Sequence, residues 1–160
     1  MNFKKNNGFT GIDISISMII ILIFIPTIFG IVYNIQKTNS SVKREAKAVD
    51  IATDILEIAK AENYNDITLE SNSNFLIDLN GKYSTSTYTN SETHEENYEY
   101  VYYSAIGEDD VHYQIQIGLM NYYPSSTETE DLVKKIKVVV FYPIGNTQKT
   151  IDISRVFKNT

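Results

Sequence analysis

A long apolar segment near the amino terminus, residues 9–33, most restricts what this chain can fold into. It contains a single acidic residue, Asp13, close to its start. About 20 apolar residues are enough for a helix to cross the hydrocarbon core of a bilayer. A carboxylate in that environment costs free energy unless it has a partner, so an acid inside a membrane segment indicates a function. The sequence therefore predicts a membrane-spanning helix and a role for Asp13.

The residues at the start of this segment, together with the leader before it, form a specific pattern. Its members in chain order are Lys4, Lys5, Gly8, Phe9, Thr10 and Asp13. This stretch resembles the amino terminus of type IV prepilins and pseudopilins, in which a short basic leader and Gly precede Phe-Thr, an acidic residue and an apolar helix. Two positions depart from the family pattern. Asp13 stands where Glu is usual, and Gly11 stands where a bulky aliphatic residue is usual.

The resemblance implies processing and a docking charge. Prepilin peptidase would cleave after Gly8, and the new amine of Phe9 would be methylated. Lys4 and Lys5 would belong to the leader that stays on the cytoplasmic side. Asp13 would pair with the positive Phe9 amine of a neighbouring subunit. An unpaired charge in an apolar filament core is strongly unfavourable, so this pair would set the register of subunit docking.

The resemblance also implies a location and a set of partners. The protein would cross the cytoplasmic membrane once, with its amino terminus inside, and would then enter an extracellular pilus or pseudopilus. Its partners would be membrane lipid, prepilin peptidase, the pilus assembly platform and other pilin subunits, which it would contact through the N-terminal helix. Charge counting does not decide the orientation, because two lysines precede the apolar segment and four basic residues follow it between residues 37 and 47.

Two residues inside the apolar segment are expected to weaken its helix. Pro26 removes one backbone hydrogen bond, and Gly30 has a low helix propensity. Related subunits often melt near a comparable proline and a later glycine, which implies a helix break at Pro26 and Gly30. Membrane helices also tolerate such residues without any functional meaning, so both interpretations stay open.

The pattern beyond the apolar segment predicts that the helix continues over residues 34–61. Apolar residues recur there at helical spacing, with charged residues on the other faces. The chain is thus expected to divide into a leader at residues 1–8, a transmembrane or filament-core helix at residues 9–33, an amphipathic continuation at residues 34–61 and an extracytoplasmic β domain at residues 62–160.

From residue 62 onward the pattern changes from helical to alternating. Asn80-Gly81, between residues 75–79 and 82–88, predicts a β-hairpin because Asn-Gly suits a type I′ turn. Further strands are predicted at residues 98–104, 111–120, 135–142 and 149–157. Gly145-Asn146 predicts the turn between the last two. The expected fold class is α+β: a long helix whose second half packs on a small antiparallel β-meander, the pilin lollipop.

Composition excludes several classes of function. The net charge is −6, and loss of residues 1–8 would leave 12 bases against 20 acids, or −8. This balance argues against nucleic acid as a partner. The chain has no Cys, so neither a disulfide nor a thiolate metal site is possible. His94 begins a zinc-protease-like motif, but Tyr98 stands where the second His ligand is required, and His112 is expected to face solvent.

Weaker candidates for a binding site are two acidic stretches, residues 108–110 and 128–131. Their oxygen ligands would suit calcium, although acidic surface loops are usually only solvated. We therefore expect no catalytic residue, no cofactor and no metal, and a structural role rather than an enzymatic one.

A second, weaker resemblance narrows the expected function. Residues 134–157 resemble the C-terminal strands of minor pilins of the type IV pilus modification class, and residues 48–62 resemble the helix of that class. The chain is accordingly expected to be a minor structural subunit. The alternatives are the major pilin, a pseudopilin of a type II secretion or DNA-uptake system, and a single-pass anchored binding domain that does not polymerise. A secretory signal peptide is disfavoured because no A-x-A-like site follows the apolar segment.

Overall fold

The structure is a computed structural model that describes residues 10–87, 95, 97–107, 110–122 and 133–158. The chain forms two compact units, Met1–Ser41 and Val42–Thr160. The helices are α1 (Gly11–Ala61) and α2 (Asn74–Lys82), with a short 3₁₀ turn at Tyr64–Asp66 between them. The strands are β1 (Ser84–Thr85), β2 (Glu99–Ile106), β3 (His112–Tyr122), β4 (Val133–Ile144) and β5 (Thr147–Lys158).

Helix α1 ends at Ala61, in agreement with the predicted end of the helix. Its portion within the second unit buries one stripe of residues at helical spacing and leaves the other faces exposed. The buried residues are Ala48, Ile51, Ala52, Ile55, Leu56 and Ala59. Three of these six residues are alanines and three are larger aliphatic residues. This stripe lies in the part of α1 for which the sequence predicts an amphipathic continuation of the helix.

The five strands form one antiparallel sheet in chain order, so the predicted meander is confirmed. The register aligns apolar side chains into rows across the inner face of the sheet. One such row contains Val101, Ile117, Val138 and Ile153, each opposite its neighbour. These side chains join the α1 stripe in a single hydrophobic core. Burying one such side chain fully stabilises the fold by about 1.5–3 kcal/mol, so the row and the stripe hold this unit together.

A buried lysine lies at one end of the inner face. Lys134 places its Nζ 2.7 Å from the carbonyl oxygen of Tyr64 and 4.6 Å from the centre of the Tyr64 ring. Burial lowers the pKa of Lys134, while the charge of Asp66 opposes that shift. The backbone carbonyl and the ring compensate the buried charge, and they attach the segment after α1 to the sheet.

The hairpin predicted around Asn80-Gly81 is wrong, because this segment is helix α2. The Ser73 hydroxyl caps the helix by accepting a hydrogen bond from the backbone N–H of Leu76, at 3.3 Å. Phe75, Leu76 and Leu79 are buried, a spacing that suits one face of a helix. Core packing on this face and the Ser73 cap override the turn preference of Asn-Gly. Only β1, two residues long, remains of the predicted second hairpin strand.

The predicted turn at Gly145-Asn146 is confirmed and joins β4 to β5. Gly145 has a φ of +59°, as the first central residue of a type I′ or II′ hairpin turn requires. Ile144 and Thr147 pair across the turn, so β4 and β5 stay in register along their whole length.

We predict opposite effects of alanine at two glycines. Gly81→Ala should stabilise the second unit by about 0.5 kcal/mol, because Gly81 lies in a helix and nothing lies within 4 Å of an added Cβ. Gly145→Ala, the matched control, should destabilise it by about 1 kcal/mol or more because of the positive φ. Urea unfolding of the full chain in detergent micelles, followed by circular dichroism, measures both changes. Destabilisation by Gly81→Ala would contradict the helical assignment of this segment.

Candidate functional site

The first unit, Met1–Ser41, contains the apolar part of α1. Among the helices that the structure describes, α1 is the one that is long and apolar enough to cross a membrane. None of the residues in its most apolar stretch is buried within the protein. In the part of this unit that the structure describes, the exposed large apolar residues are Ile12, Ile14, Ile16, Met18, Ile19, Ile20, Ile21, Leu22, Ile23, Phe24, Ile25, Ile28, Phe29, Ile31, Val32, Tyr33 and Ile35. An apolar surface of this kind marks a membrane or protein contact.

The polar hydroxyls of this apolar stretch are satisfied within the helix. Ser15, Ser17 and Thr27 each donate a hydrogen bond to the carbonyl oxygen four residues earlier, at 2.8–2.9 Å. A hydroxyl bonded in this way leaves no unpaired donor, so it costs little in an apolar medium. These three residues are therefore compatible with a helix that lies in hydrocarbon.

Asp13 caps the start of α1 together with Thr10. Its Oδ2 accepts hydrogen bonds from the Thr10 hydroxyl, at 2.7 Å, and from the Thr10 backbone N–H, at 3.1 Å. The Thr10 hydroxyl in turn lies 3.4 Å from the backbone nitrogen of Asp13. This reciprocal arrangement is a capping box with Asp in place of Glu. The carboxylate also lies at the positive end of the helix dipole, which favours its ionised form.

The cap uses only one oxygen of the Asp13 carboxylate. Both bonds from Thr10 end at Oδ2, and within the described part of the chain no donor is assigned to Oδ1. The carboxylate can thus cap its own helix with one oxygen and accept a hydrogen bond from a cation with the other. The shorter side chain of Asp, compared with Glu, keeps the carboxylate close to the helix backbone.

The structure places only part of the predicted site. Lys4, Lys5, Gly8 and Phe9 lie outside the described residues. Pro26 and Gly30 lie within α1, whose helical assignment runs through both positions. The helix break predicted for these two residues stays a prediction about the assembled filament. Nothing lies within 4 Å of a Cβ added at Gly11 or Gly30, so neither glycine is required there by close packing within the subunit.

A second polar cluster lies in a groove of the second unit. Asp54 on α1 accepts a hydrogen bond of 2.5 Å from the Lys82 ammonium and another of 2.5 Å from the Tyr83 hydroxyl. The groove has a volume of about 610 Å³ and is also lined by Lys47, Ser104 and His112. No short sequence motif marks this cluster, because Lys82 and Tyr83 lie 28 and 29 residues from Asp54 along the chain.

The charges of this cluster explain its pKa shifts. Burial alone would raise the pKa of Asp54, but the hydrogen bonds from Lys82 and Tyr83, together with the charges of Lys82 and Lys47, hold it below its ordinary value. Burial and the bond to Asp54 raise the pKa of Tyr83. Tyr83 therefore stays protonated and acts as a donor. The cluster connects α1 to the end of α2.

The remaining sequence candidates do not assemble into a metal site in the described residues. His112 is the first residue of β3 and is exposed, as predicted, whereas His94 lies outside the described residues. Of the two predicted acidic stretches, only Asp110 is described. Within the described ranges, no three His, Asp or Glu side chains lie close enough together to hold a metal ion.

Comparison with protein-family models, with curated proteins and with solved structures finds no match to this chain. What the chain does is therefore inferred from its own residues.

We predict that Asp54→Asn destabilises the second unit by about 1 kcal/mol at neutral pH, through loss of a charge-assisted hydrogen bond at a partly exposed site. Because the pKa of Asp54 is lowered in the folded protein, its contribution is present above the ordinary value of 3.8 and is lost as pH falls through the folded pKa. The difference between wild type and variant should therefore shrink at pH 3 in urea unfolding. Glu57→Gln, an exposed position on the same helix, is the control. A difference that persists undiminished at pH 3 would contradict the ionic role.

Proposed function

We propose that this chain is a minor structural subunit, a prepilin, of a type IV pilus or a pilus-like machine. It is cleaved after Gly8, methylated at the Phe9 amine and assembled through α1. The observation that carries the proposal is the position of the prepilin-like pattern. It leads directly into the most apolar stretch of α1, none of whose residues is buried within the protein, and its acidic member, Asp13, lies in the first helical turn.

The exposed apolar surface of the first unit supports the proposal that this helix moves from lipid into the core of a filament. Each large apolar side chain gains about 1.5–3 kcal/mol when it is fully removed from water. Lipid supplies this cover before assembly, and the helices of neighbouring subunits supply it afterwards. The side-chain hydroxyls of Ser15, Ser17 and Thr27 are bonded internally, so either environment accepts them.

The geometry of Asp13 supports its role as a docking charge. In the single subunit its Oδ2 is held by Thr10, while Oδ1 is left for a further donor. The methylated Phe9 amine of a neighbouring subunit is a cation of suitable size for that oxygen. A buried charge pair contributes mainly to specificity, because an unpaired charge costs several kcal/mol in an apolar interior. The pair would thus select one axial position of the neighbouring helix.

The second unit supports the expected lollipop arrangement of a pilin. An antiparallel sheet of five strands packs on the amphipathic residues of α1, and the hydrophobic core lies between them. A subunit of this kind needs no catalytic group, since it functions by contacting other subunits through its surface. The same features serve a pseudopilin of a secretion or DNA-uptake machine, which shares this assembly chemistry.

We predict that the protein, expressed together with its own prepilin peptidase, begins at a methylated Phe9. Intact-mass measurement of the purified chain should show loss of residues 1–8 and the addition of one methyl group. Gly8→Leu is the matched control, because a bulky side chain before the cut should prevent entry into the peptidase and leave the leader in place. An uncut Met1 terminus, with the peptidase active on a second substrate, would contradict the proposal and would favour a plain membrane anchor.

We predict that Asp13→Ala leaves cleavage intact but lowers the amount of subunit in sheared filaments by at least about tenfold, because the Phe9 amine would then be buried without a partner. Asp13→Glu should retain assembly, since it keeps the carboxylate. Asp50→Ala is the control, because Asp50 is an exposed acid elsewhere on the same helix. The measurement is the ratio of subunit in filaments to subunit in cells. Normal assembly of Asp13→Ala would exclude the docking role.

A further inference from the structure

The last strand of the sheet, β5, has an open edge. It pairs with β4 along its whole length of 12 residues, and in the described part of the chain no strand lies beyond it. The hairpin closes on the pair Ile144 and Thr147, and the direction of the backbone groups alternates along an antiparallel ladder. The residues whose N–H and C=O groups point away from β4 are therefore Gln148, Thr150, Asp152, Ser154, Val156 and Lys158.

The inner face of β5 is only partly covered. Ile151, Ile153 and Phe157 point toward the core but are half-buried, whereas their partners on β4 are buried. Lys149 and Arg155 lie on the same face and are exposed. A sixth strand along this edge would receive the outward backbone bonds and would cover the remaining apolar surface of Ile151 and Ile153.

The side chains on this face form a symmetric charge pattern. Lys149 and Arg155 flank Ile151 and Ile153, so the order is base, apolar, apolar, base in either direction along the strand. Directly opposed cross-strand pairs are the units of sheet stabilisation, and opposite charges stabilise while like charges destabilise. A strand with acids opposite both bases, and apolar residues between them, fits this pattern.

The charge of this region differs from that of the whole chain. β5 carries three basic residues, Lys149, Arg155 and Lys158, against one acid, Asp152, while the chain as a whole has a net charge of −6. Of the lysines on β4, Lys134 is buried on the Tyr64 carbonyl and Lys137 pairs with Glu95. A basic edge on an acidic protein attracts an acidic segment and repels a second copy of itself. Pairing of β5 with β5 of another copy would bring two net-positive strands together.

We propose that the open edge of β5 is a docking site for an extended acidic segment of a partner protein, which adds to the sheet as a sixth strand. Backbone hydrogen bonds would supply much of the affinity, and the pattern of side chains would supply the selectivity. Charged residues on an edge strand also prevent nonspecific pairing with the edge strands of other proteins. The same charges still allow pairing with a strand of complementary charge. This surface lies wholly within the second unit, so the proposal does not depend on whether the chain polymerises.

The test uses the full chain in nanodiscs of zwitterionic lipid, with one copy in each disc. The probe is a fluorescein-labelled peptide of sequence Thr-Glu-Thr-Val-Thr-Val-Thr-Glu-Thr, which reads the same in both directions. Its partner probe has Lys in place of each Glu. Fluorescence anisotropy measures binding, and hydrogen–deuterium exchange of the β5 amides locates it.

Two variants separate the backbone contribution from the charge contribution. Ser154→Pro removes an outward N–H and leaves the ladder with β4 intact, so it should weaken binding of the acidic peptide while the domain stays folded. The double variant Lys149→Glu with Arg155→Glu should weaken binding of the acidic peptide by about tenfold and should instead bind the lysine peptide. Lys135→Glu, on the neighbouring strand β4, is the charge control and should change binding little.

We expect the protein to bind the acidic peptide in preference to the lysine peptide, and the bound peptide to slow hydrogen–deuterium exchange of the β5 amides. In the double variant the preference should reverse, so that the lysine peptide binds more tightly. Equal binding of both peptides, or no binding of either, would overturn the proposal. Unchanged binding by a folded Ser154→Pro variant would also overturn it. Slower exchange of the β5 amides that depends on protein concentration in micelles, without peptide, would show instead that β5 pairs with a second copy.

Discussion

The packing of one stripe of α1 against the inner face of the sheet is the contact on which the second unit depends. The buried cluster contains Ala48, Ala52, Ala59, Ile51 and Ile55 of α1 together with apolar side chains of β3 and β4. The chain has no cysteine and hence no disulfide, and burial of apolar surface stabilises this unit. Helix α2 and the Lys134 contact complete this core at its margin.

The two parts of α1 meet different physical demands. Residues 42–61 are apolar on one stripe and charged elsewhere, which suits a helix that covers a sheet in water. The most apolar stretch of α1, which lies earlier in the chain, has no residue that is buried in the single subunit. A helix of the second kind is stable only when lipid or other helices surround it. The proposed function rests on this difference, together with Asp13, whose carboxylate combines a cap on its own helix with an oxygen left for a cation.

Elements with strong periodicity could be predicted from the sequence. The end of α1, the positions of β2 to β5 and the turn at Gly145-Asn146 followed from alternation, helical spacing and turn chemistry. The segment at residues 74–82 could not, because Asn-Gly favours a turn while the spacing of Phe75, Leu76 and Leu79 suits a helix. Local preference and packing conflicted there, and the packing of α2 into the core decided the outcome. The cluster of Asp54, Lys82 and Tyr83 was also missed, because its members come together only through that helix.

The sequence by itself determined the apolar helix, the charge within it and the antiparallel order of the last strands, since each depends on neighbours a few residues apart. Tertiary structure alone decided which polar groups share a groove and where the sheet ends. Those features depend on distant segments that meet after folding, and their energy comes from contacts that no local pattern encodes. The open edge of β5 is such a feature. The sequence of β5 predicts a strand but not its position in the sheet, and the strand order places β5 last, with no described strand beyond it.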